Sequence, residues 1–351
     1  MSWPDFQEHT GLFRDLRQEL KQQLSLGPQA HFLLGISGGP DSMFLAYFLL
    51  WLRAREGCQL ALAHFNHQLR PEVDAEETLG LADFAEKWQL PFYSGTADVR
   101  AMASQRQAGI EEAARAARHQ FFQNTLDQLV KEADKQPIGP NSHDTPILAL
   151  GHNQDDLLET VLINLGRGSG PDGLTSMPSF DGRIVRPLLG LTSQEIRTFL
   201  DHRGLTYYRD HSNAEDIYLR NRLRLEVVPA WRAALTYDPG PQVRKFTESL
   251  RAERQALEQT AAMALAACRL ESADQLNLKT LTAWPQGLHY RILQLFFQES
   301  LPNTPFTLGQ KQYGQIAKAL ANLPGRASFD LGQGLTFGIQ GYLGQVTRVI
   351  K

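Results

Sequence analysis

Residues 37–42 read Ser37, Gly38, Gly39, Pro40, Asp41, Ser42, and their flanks restrict the fold more than any other stretch of the chain. The apolar run before them, 31–36, has the length of a buried strand, and the run after them, 43–52, reads as a helix packed on a sheet. A strand, a tight Ser/Gly turn and a helix N-terminus together form a cradle for phosphate. Glycine lets the backbone approach closely, N–H groups point outward, and the helix dipole favours an anion. Ser37 and Ser42 can add hydroxyl donors, and Asp41 is placed to hold a hydrated Mg2+ on a polyphosphate.

The run is neither of the two common phosphate loops. It lacks the lysine and spacing of G-x-x-x-x-G-K-[ST] and the third glycine of G-x-G-x-x-G. Its surroundings extend the pattern. Further short apolar runs at 60–65, 91–94 and 147–152 alternate with helical patterns at 76–88, 109–130 and 155–165. This order predicts an α/β fold, a Rossmann-like parallel sheet with helices on both faces, whose ligands bind at the C-terminal ends of the strands. A smaller helical α+β C-terminal domain follows, with helices near 289–300 and 311–323 and Gly-rich short strands at the end. The expected division is 1–236 for the catalytic domain, 237–270 for a linker helix and 271–351 for the small domain. The first of these includes an N-terminal helix in 1–30 and a polar, Pro- and Asn-containing exposed insertion at 131–146.

At 351 residues, 42% hydrophobic and 21% charged, the composition is that of a soluble globular protein of two domains. Leu12, Leu16, Leu20 and Leu24, interleaved with Arg14, Arg17 and Lys21, read as an amphipathic helix and not as a signal peptide. The run 43–52 is too short to span a bilayer. Two cysteines, Cys58 and Cys268, argue against a disulfide framework or a Cys-based zinc site, so a cytoplasmic location is expected, with no membrane partner. A net charge of −3 means that any nucleic-acid surface must be a local patch.

Five polar clusters stand out. His64 and His67 end the second strand, as a metal pair or as strand-end hydrogen bonding. His152, Asp155, Asp156 and Glu159 mark the change from strand to helix after the fourth. Capping accounts for one of these carboxylates and leaves the other available to Mg2+. Arg167 sits in a glycine-rich loop that also reads as a plain connector, and Glu111 with Arg115 is compatible with a surface i,i+4 pair. Arg220, Asn221, Arg222 and Arg224 follow Tyr218 with no acid among them, as an RNA-backbone patch or a solvated helix face.

Taken together, these segments resemble the tRNA(Ile)-lysidine synthetases of the N-type ATP pyrophosphatase, or PP-loop, superfamily. The resemblance runs from about residue 31 to 226. It is carried by the Ser37–Ser42 loop, by 66–70, by Glu111 with Arg115 and Arg118, and by 152–160. It continues through 167–170, through Asp210, His211, Ser212 and Asn213, and through Arg220, Asn221 and Arg224. It implies a ligase that uses ATP and Mg2+ to join free lysine to C2 of the wobble cytidine of an isoleucine tRNA with a CAU anticodon. Ser37, Gly38, Gly39, Pro40, Asp41, Ser42, His64 and Arg167 would contact the nucleotide, and Asp41 and Asp156 the metal. Asp41, Arg115, His152 and Asp156 would serve catalysis, and Arg220, Asn221, Arg222 and Arg224 the RNA. The C-terminal unit is compatible with a tRNA-recognition appendage. Oligomeric state stays open, a homodimer being among the allowed forms. The alternatives are a tRNA 2-thiolating enzyme of the same superfamily, for which two scattered cysteines are poor equipment, and a non-catalytic adenine-nucleotide-binding module.

Overall fold

The computed structural model describes residues 10–24, 30–69, 71–106, 109–133, 145–208, 219–301, 306–332 and 334–348. Most of the expected insertion, 134–144, lies outside the described residues, as do Arg70 and the Asp210–Asn213 motif. The chain divides into two compact units, 1–248 and 249–351.

In the first unit, helix α1 (Thr10–Leu24) precedes five strands: β1 (His31–Gly35), β2 (Gln59–Asn66), β3 (Phe92–Thr96), β4 (Ile147–Leu150) and β5 (Ile184–Val185). They form one parallel sheet in the order β3-β2-β1-β4-β5, with Phe32 opposite Leu60 on one side and Ile147 on the other. Side chains alternate across a strand, and β1 shows why the sheet must be covered twice. Phe32 and Leu34 enter one apolar cluster with Phe44, Phe48 and Leu62, while Leu33 enters another with Ala61, Ala63, Phe122 and Leu126. All three β1 residues are fully buried.

The helices follow from the same logic. Helix α2 (Pro40–Glu56) is buried continuously from Ser42 to Leu52 because one side meets the sheet and the other meets α1. There Phe13 packs edge-on against Phe44 and Phe48, with ring centroids 5.6 and 5.4 Å apart. Pro40 starts the helix, where its missing N–H costs nothing, and Gly57 ends it at φ 74°, its N–H bonded to the Arg53 carbonyl. The chain continues through α3 (Pro71–Lys87), α4 (Val99–Arg106), α5 (Ile110–Ala133), α6 (Gln154–Gly166), α7 (Pro171–Leu174) and α8 (Ser193–His202). Next come α9 (Leu219–Arg222), a π-helical turn (Leu223–Val227), α10 (Val228–Ala234) and the long α11 (Pro239–Cys268).

The 249–351 unit holds the rest of α11, β6 (Gln275–Asn277), α12 (Leu278–Thr282), α13 (Gln286–Ser300) and α14 (Gln310–Leu320), then β7 (Gly325–Gly332), β8 (Leu335–Gly341) and β9 (Leu343–Arg348). Its antiparallel sheet, β6-β9-β8-β7, packs around Phe296, Phe297 and Phe337.

The expected boundary after residue 236 differs from the division at 248. The first turns of α11 belong with the first unit for a local reason. Asp238 accepts hydrogen bonds from Arg232 Nε (3.0 Å) and from the Gln154 amide, and Val243 packs on Leu157, Val161 and Leu189. A fragment ending at Thr236 should therefore be less stable than one ending at Glu248 by about 1–2 kcal/mol, the scale of a lost charged hydrogen bond and a partly exposed apolar cluster. Urea denaturation of the two fragments checks this.

Candidate active site

The sheet order reverses at β1: β2 and β3 lie on one side, β4 and β5 on the other. Loops leaving the C-terminal ends of two such strands diverge and open a crevice, the usual ligand position in an open parallel sheet. Here the β1 loop is the Ser37–Ser42 run and the β4 loop is Gly151, His152 and Asn153. They touch through the backbone. A Cβ on Gly151 would stand 3.0 Å from the Asp41 carbonyl carbon and 3.1 Å from the Ser42 nitrogen, so any larger residue would have to push the two loops apart by a few tenths of an ångström.

The phosphate loop is tied internally. Ser42 Oγ donates to the Gly39 carbonyl (3.0 Å), accepts from the Ser37 N–H (3.2 Å) and lies 3.2 Å from Ser37 Oγ. Gly38 takes φ 82°, and its carbonyl accepts the Tyr208 N–H at 2.8 Å while the Tyr208 ring covers its Cα. Ser37, Gly39, Pro40, Asp41 and Ser42 line a pocket of about 140 Å³ with Glu77, Ser193, Arg197, Tyr208 and Arg224.

Helix α6 starts from a capping box, Asn153 Oδ1 accepting from the N–H groups of Asp155 and Asp156 while Asp156 Oδ2 accepts from the Asn153 N–H (3.0 Å). The adjacent carboxylates then point to different tasks. Asp155 accepts from the Ser193 N–H (2.9 Å) and pairs with Arg232 (2.7 Å), joining α6 to α8 and α10. Asp156 Oδ1 pairs with Arg224 (3.0 Å) on the pocket side. One turn on, the fully buried Glu159 is held between Arg224 (2.7 Å) and Arg220 (3.2 Å). Burial pushes the Glu159 carboxyl up to about 7, against the pull of Arg224.

Asp41 is different. Burial, reinforced by the charge of Asp156, pushes its carboxyl up to about 6, and its Oδ1 is buried with no hydrogen-bond partner among the described residues. A carboxylate kept this way beside a second carboxylate suits a divalent cation. Mg2+ typically takes one or two carboxylates together with phosphate oxygens. Among the described residues, no group of three or more His, Cys, Asp or Glu could hold a metal by itself.

The structure thus brings Ser37, Gly38, Gly39, Pro40, Asp41, Ser42, Asp156 and Arg224 to one crevice. His64 is buried beneath it, Nδ1 3.0 Å from the Ile36 carbonyl. His152 leaves the end of β4; burial pushes its imidazole down to about 4, and its Nδ1 is buried without a hydrogen-bond partner. His67 repeats the pattern, also near 4 by burial with Nδ1 unpartnered, and the charge of Arg118 acts on both histidines. Arg115 is exposed on α5. Arg167 is exposed at the C-terminal end of α6, a helix length of about 20 Å from the capping box, and is not brought to the pocket. The arginine cluster departs from expectation as well. Arg220 and Arg224 have acidic partners, supplied by α6 from more than sixty residues away, and Arg222 is exposed. Sequence reasoning passed over Arg197, Ser193 and Glu77, and gave Tyr208 no role of its own. The Thr192/Glu195 capping box of α8 marks the neighbourhood of Ser193 and Arg197, but it says nothing of what the helix faces.

A strand, a serine–glycine loop and a helix N-terminus at the switch point of a five-stranded parallel sheet define a nucleotide-phosphate-binding α/β protein. The PP-loop domain family matches residues 12–231, and the chain belongs to it. Its curated relatives include tRNA(Ile)-lysidine synthases. That of Geobacter sulfurreducens is 36% identical over 58% of this chain and 40% of its own length, and that of Bacillus subtilis 30% over 79% and 57%. That of Geobacillus kaustophilus is 30% identical over 90% of this chain and 65% of its own length. The chain spans about half the length of the curated relatives it matches. Among solved structures, the tRNA thiolase NcsA from Methanococcus maripaludis superposes with a TM-score of 0.48 at 14% identity over 68% of this chain and 78% of that one, too loosely to bear on function.

The two loop glycines should respond differently to alanine. Gly38→Ala forces a side chain into left-handed backbone and against the Tyr208 ring, and should cost about 1–2 kcal/mol of stability. Gly39→Ala meets only Ser37 Oγ at 3.6 Å and should stay within about 0.5 kcal/mol of the parent, both read by denaturant titration. Glu159→Ala, which leaves Arg220 and Arg224 facing one another, is expected to cost about 3 kcal/mol in the same assay.

Proposed function

We propose that the protein ligates free lysine to C2 of the wobble cytidine of an isoleucine tRNA with a CAU anticodon, consuming ATP and releasing AMP and pyrophosphate. The observation that carries this reading is the crevice itself: a serine–glycine phosphate loop whose Asp41 keeps an unpartnered carboxylate oxygen beside Asp156, with a neutral His152 on the adjoining loop. Membership of the PP-loop family supports the use of ATP. The lysidine synthases, similar over 58–90% of the chain, support the choice of substrate.

In the first step the cytidine O2 attacks the α-phosphorus, and the bond to the pyrophosphate oxygen breaks with its electron pair. In the second, the neutral ε-amine of lysine attacks C2, loses a proton, and AMP leaves. Asp41, joined by Asp156 once Arg224 releases its oxygen, would hold Mg2+, which when bound offsets phosphate charge. The Ser37 and Ser42 hydroxyls and the loop N–H groups hold the departing pyrophosphate. His152 hydrogen-bonds the adenylate. Arg222, exposed on α9, and Asn221 beside it would meet RNA phosphates. Arg220 and Arg224 would do so only by leaving the α6 carboxylates.

The thiolating alternative has little to work with: Cys58 and Cys268 are both free and buried, and burial pushes the Cys58 thiol up to about 11, away from a reactive thiolate.

The test is incubation with ATP, lysine and isoleucine tRNA bearing CAU, then mass spectrometry of the wobble nucleoside. Lysidine is expected, and pyrophosphate release or exchange should proceed without lysine; an unmodified cytidine overturns the reading. Asp41→Asn should lower pyrophosphate release by about a hundredfold while leaving tRNA affinity close to the parent's.

A further inference from the structure

A triphosphate tail carries more negative charge than one Mg2+ neutralises, and the Ser37–Ser42 loop contributes no lysine of its own. Cations must come from elsewhere. Two guanidiniums line the pocket, Arg224 and Arg197. Arg224 is engaged, its Nε 2.7 Å from Glu159 and its Nη2 3.0 Å from Asp156. Arg197 has no ion-pair partner among the described residues, and its charge acts on the Asp41 carboxylate inside the loop.

Its placement is built in. Helix α8 opens with a capping box in which Thr192 and Glu195 satisfy one another, and the Ser193 N–H is fixed on Asp155 at 2.9 Å. Ile196 and Leu200 are buried and anchor the other flank of the helix. Ser193 and Arg197, four residues apart, therefore share the face that lines the pocket. The helix is held rigidly while the Arg197 side chain stays exposed, free to reach an incoming anion.

We propose that Arg197 is a substrate contact that pairs with the diphosphate portion of ATP, supplying from α8 the cation that the loop lacks. The inference rests on the reading of the crevice as an ATP-cleaving site and names a residue for it. The guanidinium holds the β- and γ-phosphates in the ground state. It also stabilises the electron pair that the leaving pyrophosphate oxygen receives when the bond to the α-phosphorus breaks.

The experiment measures affinity for pyrophosphate, ATP and AMP at fixed Mg2+ without tRNA or lysine, for the full chain and for Arg197→Ala and Arg197→Lys. Arg197→Ala should weaken pyrophosphate and ATP by about tenfold, the worth of one charge-assisted hydrogen bond, and leave AMP within about twofold. Arg197→Lys should recover part of the loss, and thermal unfolding of both variants should match the parent because the side chain is exposed. Unchanged pyrophosphate affinity in Arg197→Ala overturns the assignment, as does a parallel loss of AMP or a parent chain that binds no pyrophosphate. A parent that binds pyrophosphate, loses it on Arg197→Ala, and yet forms no lysidine upholds Arg197 and overturns only the proposed reaction.

Discussion

The contact between Gly151 and the peptide joining Asp41 to Ser42 is the constraint from which the rest of the crevice follows. At 3.0–3.1 Å from an added Cβ, the two backbones would have to part by a few tenths of an ångström to admit a side chain, so the loops after β1 and β4 lie close together without pairing. That closeness sets the N-termini of α2 and α6 side by side. Both dipoles then converge on one small volume, and the carboxylates of Asp41 and Asp156 share a field they would otherwise avoid. Two-sided burial of β1 holds the arrangement from below, since Phe32, Leu33 and Leu34 anchor the strand from both faces.

Convergent negative charge has to be balanced, and α6 does so in two directions. Asp155 looks away from the crevice and spends its charge on structure, through Ser193, Arg232 and then Asp238 at the head of α11. Asp156 and Glu159 look toward the crevice and are balanced by Arg220 and Arg224 from an element over sixty residues later in the chain. Breaking a buried pair costs far more than the pair contributes, so exchanging these arginines for another partner requires a second cation on the carboxylates they leave.

Much of this was legible in the sequence because it is local. The strand–loop–helix run at 31–52, the alternation that gave the parallel sheet and the change from strand to helix at His152 each depend on residues adjacent in the chain. The two-residue strand β5 left no periodicity to read, and α8 was missed with it. The partners of Arg220 and Arg224 were hidden for the same reason: a sequence window at 218–224 contains no acid, and the carboxylates are on α6. Arg167 was placed by motif position, whereas the length of α6 carries it to the far end of the helix. Helical spacing already sends Asp155 and Asp156 to different faces, and the capping box and the approach of α8 show what each face meets.

The neutrality of His152 limits what chemistry the crevice can ask of it. Its imidazole is pushed down to about 4 by burial, with the charges of Arg186, Arg118 and Arg220 acting in the same sense against Asp156. Lysine ammonium ordinarily titrates near 10.4, so an imidazole held well below its usual value by burial is a poor acceptor for an amine proton. In the proposed reaction the amine proton would therefore go to another acceptor than His152. What His152 can do is accept or donate one hydrogen bond without adding charge. In the proposed reaction such a contact would leave the field set by the arginines unchanged through both steps.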